Sequence, residues 1–251
     1  MIHTTVLRKE AVLWLNVCPN AHFIDCTLGA GGHTEEILKA SGPNGKVIAF
    51  ELDEETIRLT GNRLASFKDR LFIERESFRN IEKVSRYSLP ISGILYDLGF
   101  SEDLVKLRGR GISFQTDEPL DMRFDTRSTL RAEEIVNQWS ETEIADVIFH
   151  YGEERYARRI ARRIRTARET SRIKTTGELV SIIERAVPPA YLHGRIHCAT
   201  RTFQALRIAV NGELDALKDS LEKAIEILES GGRIAVISFH SLEDRIVKQT
   251  F

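Results

Sequence analysis

Phe23-Ile24-Asp25-Cys26-Thr27-Leu28-Gly29-Ala30-Gly31-Gly32-His33 is the stretch that decides the fold. A short apolar run meets an acid, crosses a glycine-rich turn and opens onto a helical pattern that continues from His33 to Ala40. Glycine lets a backbone turn tightly and approach a ligand closely, and a helix N-terminus offers unpaired N–H groups. Open parallel sheets hold nucleotide-like ligands in this way, between the first strand and the first helix. A dinucleotide needs glycines at the first, third and sixth loop positions. Gly29 and Gly31 meet the first two requirements, but Thr34 stands at the sixth. An acid ahead of alternating glycines suits S-adenosylmethionine better, because its amino and carboxylate ends require an acid and backbone amides, and it has no pyrophosphate to cradle. Asp25, Gly29 and Gly31 are therefore candidate cofactor residues.

Working outward, the first hundred residues alternate between strand-like and helix-like segments. Lys46–Leu52, Arg70–Glu76 and Ile91–Leu98 read as further strands, separated by helical patterns at Glu54–Phe67 and Ile81–Ser85. That alternation predicts an α/β fold with a parallel, doubly wound sheet whose ligands sit at the carboxyl ends of the strands. The alternation then stops. Residues from about 101 to 199 read as loop followed by helices, with capping boxes at Ser140/Glu143 and Thr175/Glu178 and terminators at Gly152 and Pro188-Pro189. A strand pattern returns only at Arg233–Phe239, after one amphipathic helix expected over Thr202–Ser230. The expected organisation is a core in two parts, residues 1–100 and 200–251, interrupted by a mainly helical insertion at 101–199.

Composition narrows the function. The 251 residues are 42% hydrophobic and 29% charged with a net charge of −1, which fits a soluble globular protein and excludes global disorder. No apolar run approaches the ~18 residues of a membrane span, and the N-terminus turns charged before an apolar core develops, so no secretory signal is expected. Three cysteines without metal-ligand spacing suit a reducing cytoplasm. Bulk charge supplies no attraction to nucleic acid, so such a partner needs a local basic surface. One exists: residues 151–174 hold eight arginines, one lysine and three glutamates. Tyr156, Ile160 and Ile164 repeat every four residues toward a core, while Arg155, Arg158, Arg159, Arg162, Arg163, Arg165 and Arg168 cover the rest of that helix. Arginine pairs bidentately with phosphates, which makes this a candidate RNA surface; a solvated face with internal ion pairs is the alternative.

Two acids stand at strand ends. Glu51 is spaced to take ribose hydroxyls. Asp97, in Asp97-Leu98-Gly99-Phe100, closes the fourth strand. The exocyclic amine of cytosine is a poor nucleophile because its lone pair is conjugated into the ring. An acceptor holding its N–H favours a more pyramidal nitrogen, and an aromatic can stack on the base. Asp97 and Phe100 are the candidates for these catalytic roles, with positioning and electrostatics supplying most of the acceleration. A turn cap and a core aromatic are the plainer reading of the same pair. No cysteine stands at the end of the fourth strand, which favours direct attack by the amine over a covalent intermediate. His193, His197 and Cys198 lie in a loop-like context without a glutamate, so no metal is expected. His240-Ser241 lacks a nucleophile elbow, so a hydrolase triad is not expected.

These residues together resemble the bacterial RsmH (MraW) family. The resemblance rests on His3–Leu7, the loop Asp25–His33, Asp97-Leu98-Gly99, Arg110–Phe114, Pro119–Arg123, Tyr151–Arg155, Ala199–Arg207 and Ile237–Arg245, which follow one another along nearly the whole chain. It implies a class I (Rossmann-like) S-adenosylmethionine-dependent methyltransferase core with a helical insertion, acting on the N4 amine of a cytidine in 16S rRNA in the decoding region of the small ribosomal subunit. Carried over by position, Gly31, Gly32, His33, Glu51, Phe78 and Asp97 contact the cofactor, with Phe78 packing on the adenine. Leu104 stands where the family has a cofactor-contacting glutamine, and Glu51 where it has aspartate. Arg110, Asp121, Arg123, Arg201, Arg207, His240 and Ser241 are expected to position the rRNA or its base, beside Arg158 and Arg162 of the basic helix. The family continues past Phe251 with a segment expected to supply two more strands. Three rivals remain: methylation of a protein or small molecule, a non-catalytic ribosome-assembly factor that binds RNA, and, most weakly, a nicotinamide oxidoreductase.

Overall fold

The structure, a computed structural model, describes residues 6–99 and 109–251. In chain order its elements are α1 (Arg8–Trp14), β1 (His22–Asp25), α2 (Gly32–Ala40), β2 (Val47–Phe50), α3 (Glu54–Arg63), β3 (Leu71–Glu74), β4 (Ile91–Asp97), α4 (Ala132–Gln138), α5 (Glu141–Gly152), α6 (Ala157–Thr170), α7 (Thr176–Ala186), α8 (Pro189–Leu192), α9 (Thr200–Asn211), α10 (Glu213–Ile227), β5 (Leu228–Ile237) and α11 (Ser241–Thr250). The chain divides into two compact units, Met1–Leu104 with Leu214–Phe251, and Val105–Glu213.

The first unit is built on a parallel five-stranded sheet in the order β3-β2-β1-β4-β5. The order reverses between β1 and β4, the place where such sheets open a ligand crevice at the strands' carboxyl ends. Every residue of β2 (Val47-Ile48-Ala49-Phe50) is buried, as a central parallel strand covered on both faces must be. Phe23, Val47 and Leu95 pack on one face against Ala11 of α1, Leu15 just after it, and Ile37 and Leu38 of α2. On the other face Ile24, Ile48, Phe50, Ile94 and Tyr96 meet Ile81 and Val84 together with Leu217, Leu221 and Ala224 of α10. Asp53 starts α3 by accepting the Thr56 N–H at 2.6 Å. The helix expected over Ile81–Ser85 is instead part of a 3₁₀ segment, Phe78–Tyr87, kinked at Asn80.

In the second unit α4, α5, α6, α7 and α9 enclose a separate core that includes Ile135, Ile148, Ile160, Ile164, Leu179, Ile183, Phe203 and Leu206. Both expected capping boxes form, at Ser140/Glu143 and Thr175/Glu178. Gly152 does more than end α5: a Cβ there would lie 2.5 Å from the Arg201 carbonyl oxygen, so glycine lets α5 and α9 approach.

The single helix expected over Thr202–Ser230 is two helices. Gly212, left-handed at φ 59°, ends α9, and α10 begins at the next residue. The boundary of the insertion moves with it. Through Phe203 and Leu206, α9 belongs to the helical core, so the second unit reaches Glu213 instead of residue 199. The fifth strand begins at Leu228, earlier than the apolar pattern suggests, because a register shift absorbs the polar Glu229–Gly232 stretch: Leu228 pairs with Ile91, and Arg233 with Gly93.

Candidate functional site

The glycine loop is held from beneath by hydrogen bonds among its own elements. Asp25, fully buried at the end of β1, accepts the Thr27 N–H at 3.0 Å and the Thr34 hydroxyl at 2.6 Å. Burial pushes the Asp25 carboxyl up, against the opposing pull of the Thr34 and Thr27 hydrogen bonds and of His33. The Thr27 hydroxyl in turn accepts the Asp97 N–H at 2.8 Å, joining the ends of β1 and β4. Asp25, expected to contact a cofactor, thus acts as a brace inside the protein. Thr34, which breaks the dinucleotide pattern, is the residue that occupies it.

From the other side α3 ties back the loop's carbonyls. The Thr60 hydroxyl donates to the Gly29 oxygen at 2.8 Å, and Arg63 donates to the Ala30 oxygen at 2.7 Å. Gly31, at φ 76°, takes the N-cap position of α2, with no side-chain cap. A Cβ there would fall 2.6 Å from the Thr60 side chain, so packing against α3 demands glycine as much as any ligand does. Without a side-chain cap, the N–H groups at the start of α2, from Gly32 onward, remain available to an anion.

Glu51, just past β2, accepts the Gly29 N–H on one oxygen at 3.1 Å and the Leu52 and Asp53 N–H groups on the other at 2.8 and 3.0 Å. The acid is thus pre-oriented at the mouth of the loop. Phe78, half-buried past β3, packs edge-on against Tyr96 with ring centroids 5.7 Å apart.

Asp97 and His33 are the unsatisfied pair. One Asp97 oxygen, Oδ2, lies 3.4 Å from His33 Nε2. The other, Oδ1, is buried without a hydrogen-bond partner among the described residues, as are both His33 ring nitrogens. Buried polar atoms in native structures are almost always paired, and those left over require a reason such as a ligand. S-adenosylmethionine fits this donor set. Its carboxylate suits the uncapped start of α2, and its ribose and adenine suit Glu51 and Phe78, which leaves Asp97 Oδ1 open to a further N–H donor.

The expected RNA contacts divide differently. Asp121 and Arg123 bind each other bidentately, at 2.6 and 2.7 Å, and Arg123 also donates to the Ser128 carbonyl at 2.6 Å. Arg207, with its side chain only 8% exposed, pairs with Glu213 through two bonds of 2.9 Å. Arg110 donates to the Arg123 and Phe124 carbonyls, and Arg201 to that of Glu153. All five side chains thus have partners within the helical unit. His240 is the N-cap of α11, forming a capping box with Glu243, and Ser241 is the first helical residue. Glu243 is buried, which pushes its carboxyl up. The interactions with His240 and the Phe239 and His240 N–H groups outweigh that and hold it below its usual range. On α6, Ile160 and Ile164 are buried as expected and Arg158, Arg162 and Arg163 are exposed. Arg162 lies 3.7 Å from Glu141. Phe100 and Leu104 lie outside the described residues.

Comparison with known proteins places this geometry. The model of the MraW methylase family matches residues 1–251. A protein named ribosomal RNA small subunit methyltransferase H from Symbiobacterium thermophilum is 49% identical over 251 residues, covering 99% of this chain and 79% of that relative. The protein of the same name from Dehalococcoides mccartyi (strain BAV1) is 48% identical, covering 99% and 70%. Among solved structures, TrmN from Thermus thermophilus has a TM-score of 0.33 at 23% identity, a likeness confined to 40% of this chain and 30% of that one.

Proposed function

The chain belongs to the MraW methylase family, whose methyl donor is S-adenosylmethionine, and on that premise we propose that it methylates the N4 amine of a cytidine in 16S rRNA, in the decoding region of the small subunit. The observation that carries the reading is the buried, partnerless Oδ1 of Asp97 at the carboxyl end of β4, beside the glycine loop. Relatives named for methylation of small-subunit ribosomal RNA, matched along 99% of this chain, support the substrate class.

When bound, the donor supplies an electrophilic methyl group on a cationic sulfur. The protein's part is to hold and orient. Asp97 Oδ1 accepts a hydrogen bond from the target amine and aims its lone pair in line with the methyl group. Methylation of that nitrogen would replace the donor's C–S bond by an N–C bond, and the amine's surplus proton would leave to solvent. Glu51 and Phe78 orient the nucleoside half, and the start of α2 draws the carboxylate. No covalent enzyme intermediate is needed. Burial pushes the Cys26 thiol at the end of β1 well up, which leaves it a poor nucleophile. Arg158 and Arg162 on α6 would attract the rRNA backbone. The reaction takes place in the cytoplasm and uses no metal. The target base must leave its stack, which costs a few kcal/mol and least for unpaired RNA.

The test is transfer of tritiated methyl groups to small subunits prepared from cells lacking the modification, followed by mapping of the labelled nucleotide. Label on the N4 of one cytidine in the decoding region is expected. Label on protein, on another base or on another nitrogen sinks the reading. RNA binding with steep salt dependence but no transfer would favour a ribosome-assembly role instead.

A further inference from the structure

Among the large hydrophobic side chains left exposed in the described residues, Phe239 alone stands just past the carboxyl end of a sheet strand. It is 57% exposed, although two residues earlier β5 is still in register with β4, Ile237 opposite Asp97. The ring lies against Gly99: a Cβ built on that glycine would be 3.3 Å from Phe239 Cδ2. Gly99, at φ 90°, therefore both turns the chain after Asp97 and leaves room for the ring.

The backbone that carries the ring is also held. The Phe239 N–H donates to Glu243 at 2.9 Å and the His240 N–H to the same oxygen at 3.3 Å. Glu243 is buried, with its side chain only 4% exposed, and closes the capping box of α11. An aromatic on a backbone fixed in this way, lying against Gly99 and facing solvent, offers a flat apolar face on which a planar ring can stack.

Sheet order says which ring. Glu51 and Phe78 follow β2 and β3, Asp97 ends β4, and Phe239 follows β5, in the order β3-β2-β1-β4-β5. The nucleoside half of the donor is thereby assigned to the β2–β3 side, and Phe239 lies on the opposite side of Asp97. Resting on the function proposed above, we infer that Phe239 stacks on the target base and presents its amine to Asp97. This places the acceptor base at the turn after β5, beside His240 and Ser241, whereas the sequence offered Phe100 as the stacking aromatic.

Two variants separate stacking from mere bulk: Phe239→Trp keeps an aromatic face, and Phe239→Leu keeps apolar volume without one. In methyl transfer to small subunits, the Leu variant is expected to lose about 5- to 150-fold in kcat/KM for the subunit, the range one stacked base supplies. The Trp variant should stay within a few-fold of the parent, and the calorimetric affinity of both for S-adenosylmethionine should be unchanged. Parental kinetics in the Leu variant, or an equal loss of donor affinity, would overturn the assignment. A second arm does not depend on turnover. A short single-stranded RNA carrying the fluorescent base pyrrolo-cytidine should be quenched by the parent and by the Trp variant, and not by the Leu variant. Quenching that is absent in the parent or retained in the Leu variant overturns the stacking role. Absence of methyl transfer by the parent alone counts against the proposed reaction, and the quenching arm still decides the role of Phe239.

Discussion

Asp97 and Asp121 are both partly buried aspartates beside a basic side chain, yet their surroundings differ. Asp121 accepts the Arg123 guanidinium on both oxygens and the Arg123 N–H as well, and Arg131 approaches to 3.8 Å. Asp97 has one oxygen 3.4 Å from His33 and the other unpaired. A carboxylate whose hydrogen bonds are complete belongs to the architecture. One left incomplete while buried costs the fold free energy until a ligand arrives. The difference separates an acid open to a ligand from one engaged within its own unit, and it can be broken by mutation.

The largest effect is expected at the incomplete acid. Asp97→Ala should lower single-turnover methyl transfer by about 100- to 1000-fold, the scale of removing one preorganised polar group from a reaction centre. Thermal stability should stay level or rise, because an uncompensated buried oxygen is removed. A drop in Tm with transfer per folded molecule preserved would reverse the contrast and make Asp97 structural.

Asp121→Ala should do the opposite. It leaves Arg123, with its side chain only 11% exposed, without its partner, at a cost of about 3 kcal/mol. Transfer per folded molecule should hold. Replacing both partners together, Asp121→Leu with Arg123→Met, should recover most of the loss. The pH dependence follows from the same pair. Burial pushes the Asp121 carboxyl up, but the Arg123 hydrogen bonds outweigh it and hold it below its usual range. Its contribution is therefore fully present above the unfolded-state value of about 3.9 and is lost as pH falls through the folded value. Urea unfolding of Asp121→Ala and the parent should converge below that point and diverge above it. A pH-independent gap would mean that the pair contributes by packing alone.

Thr34→Val tests the brace behind Asp97. Removing the hydroxyl leaves one oxygen of the fully buried Asp25 short of a donor, at a cost of about 1–3 kcal/mol. Donor affinity should weaken with it, because the Asp25–Thr27–Asp97 chain loses its anchor on α2. A stability loss with unchanged affinity for S-adenosylmethionine would confine Thr34 to the scaffold.

Thr34 also shows where the sequence was legible and where it was not. The parallel sheet followed from apolar runs separated by turns, and the helical unit from the end of that alternation, because local periodicity reports burial directly. The glycine loop was legible as a loop. Its mechanics were not: Thr34 looked like a mere deviation from a dinucleotide pattern, and only the tertiary meeting of β1, β4 and α2 gives it a partner. For the same reason the partners of Asp121, Arg123 and Arg207 were not legible: the resemblance marks these residues as positioning the rRNA or its base, and only the fold shows Arg123 meeting Asp121 and Arg207 meeting Glu213. The break at Gly212 was written in Asn211-Gly212, yet amphipathic periodicity running through it favoured one long helix. Phe239 was hidden because an aromatic at a strand end is usually core, and exposure is a property of the fold.

The smallest effect lies on the basic helix, where Arg158 and Arg168 repeat the contrast. Arg168 donates to the Val136 and Trp139 carbonyls at 3.0 and 2.7 Å and so fastens α6 to the end of α4. Arg158 is exposed on the same helix. If Arg158 meets a phosphate of the rRNA, Arg158→Gln should weaken RNA binding only a few-fold, equally for any sequence. It should also reduce the slope of log affinity against log salt by about 0.7–0.9, the counterions released by one contact. Arg168→Gln should leave that slope unchanged and lower stability by about 1–2 kcal/mol through the lost carbonyl bonds. Filter binding across a salt series, beside urea unfolding, separates the two. If both variants shift the slope alike, Arg168 is not set apart by its carbonyl bonds and the whole arginine face acts on RNA. If neither does, the face is a solvated helix surface, and attraction to the ribosomal subunit must come from elsewhere in the chain.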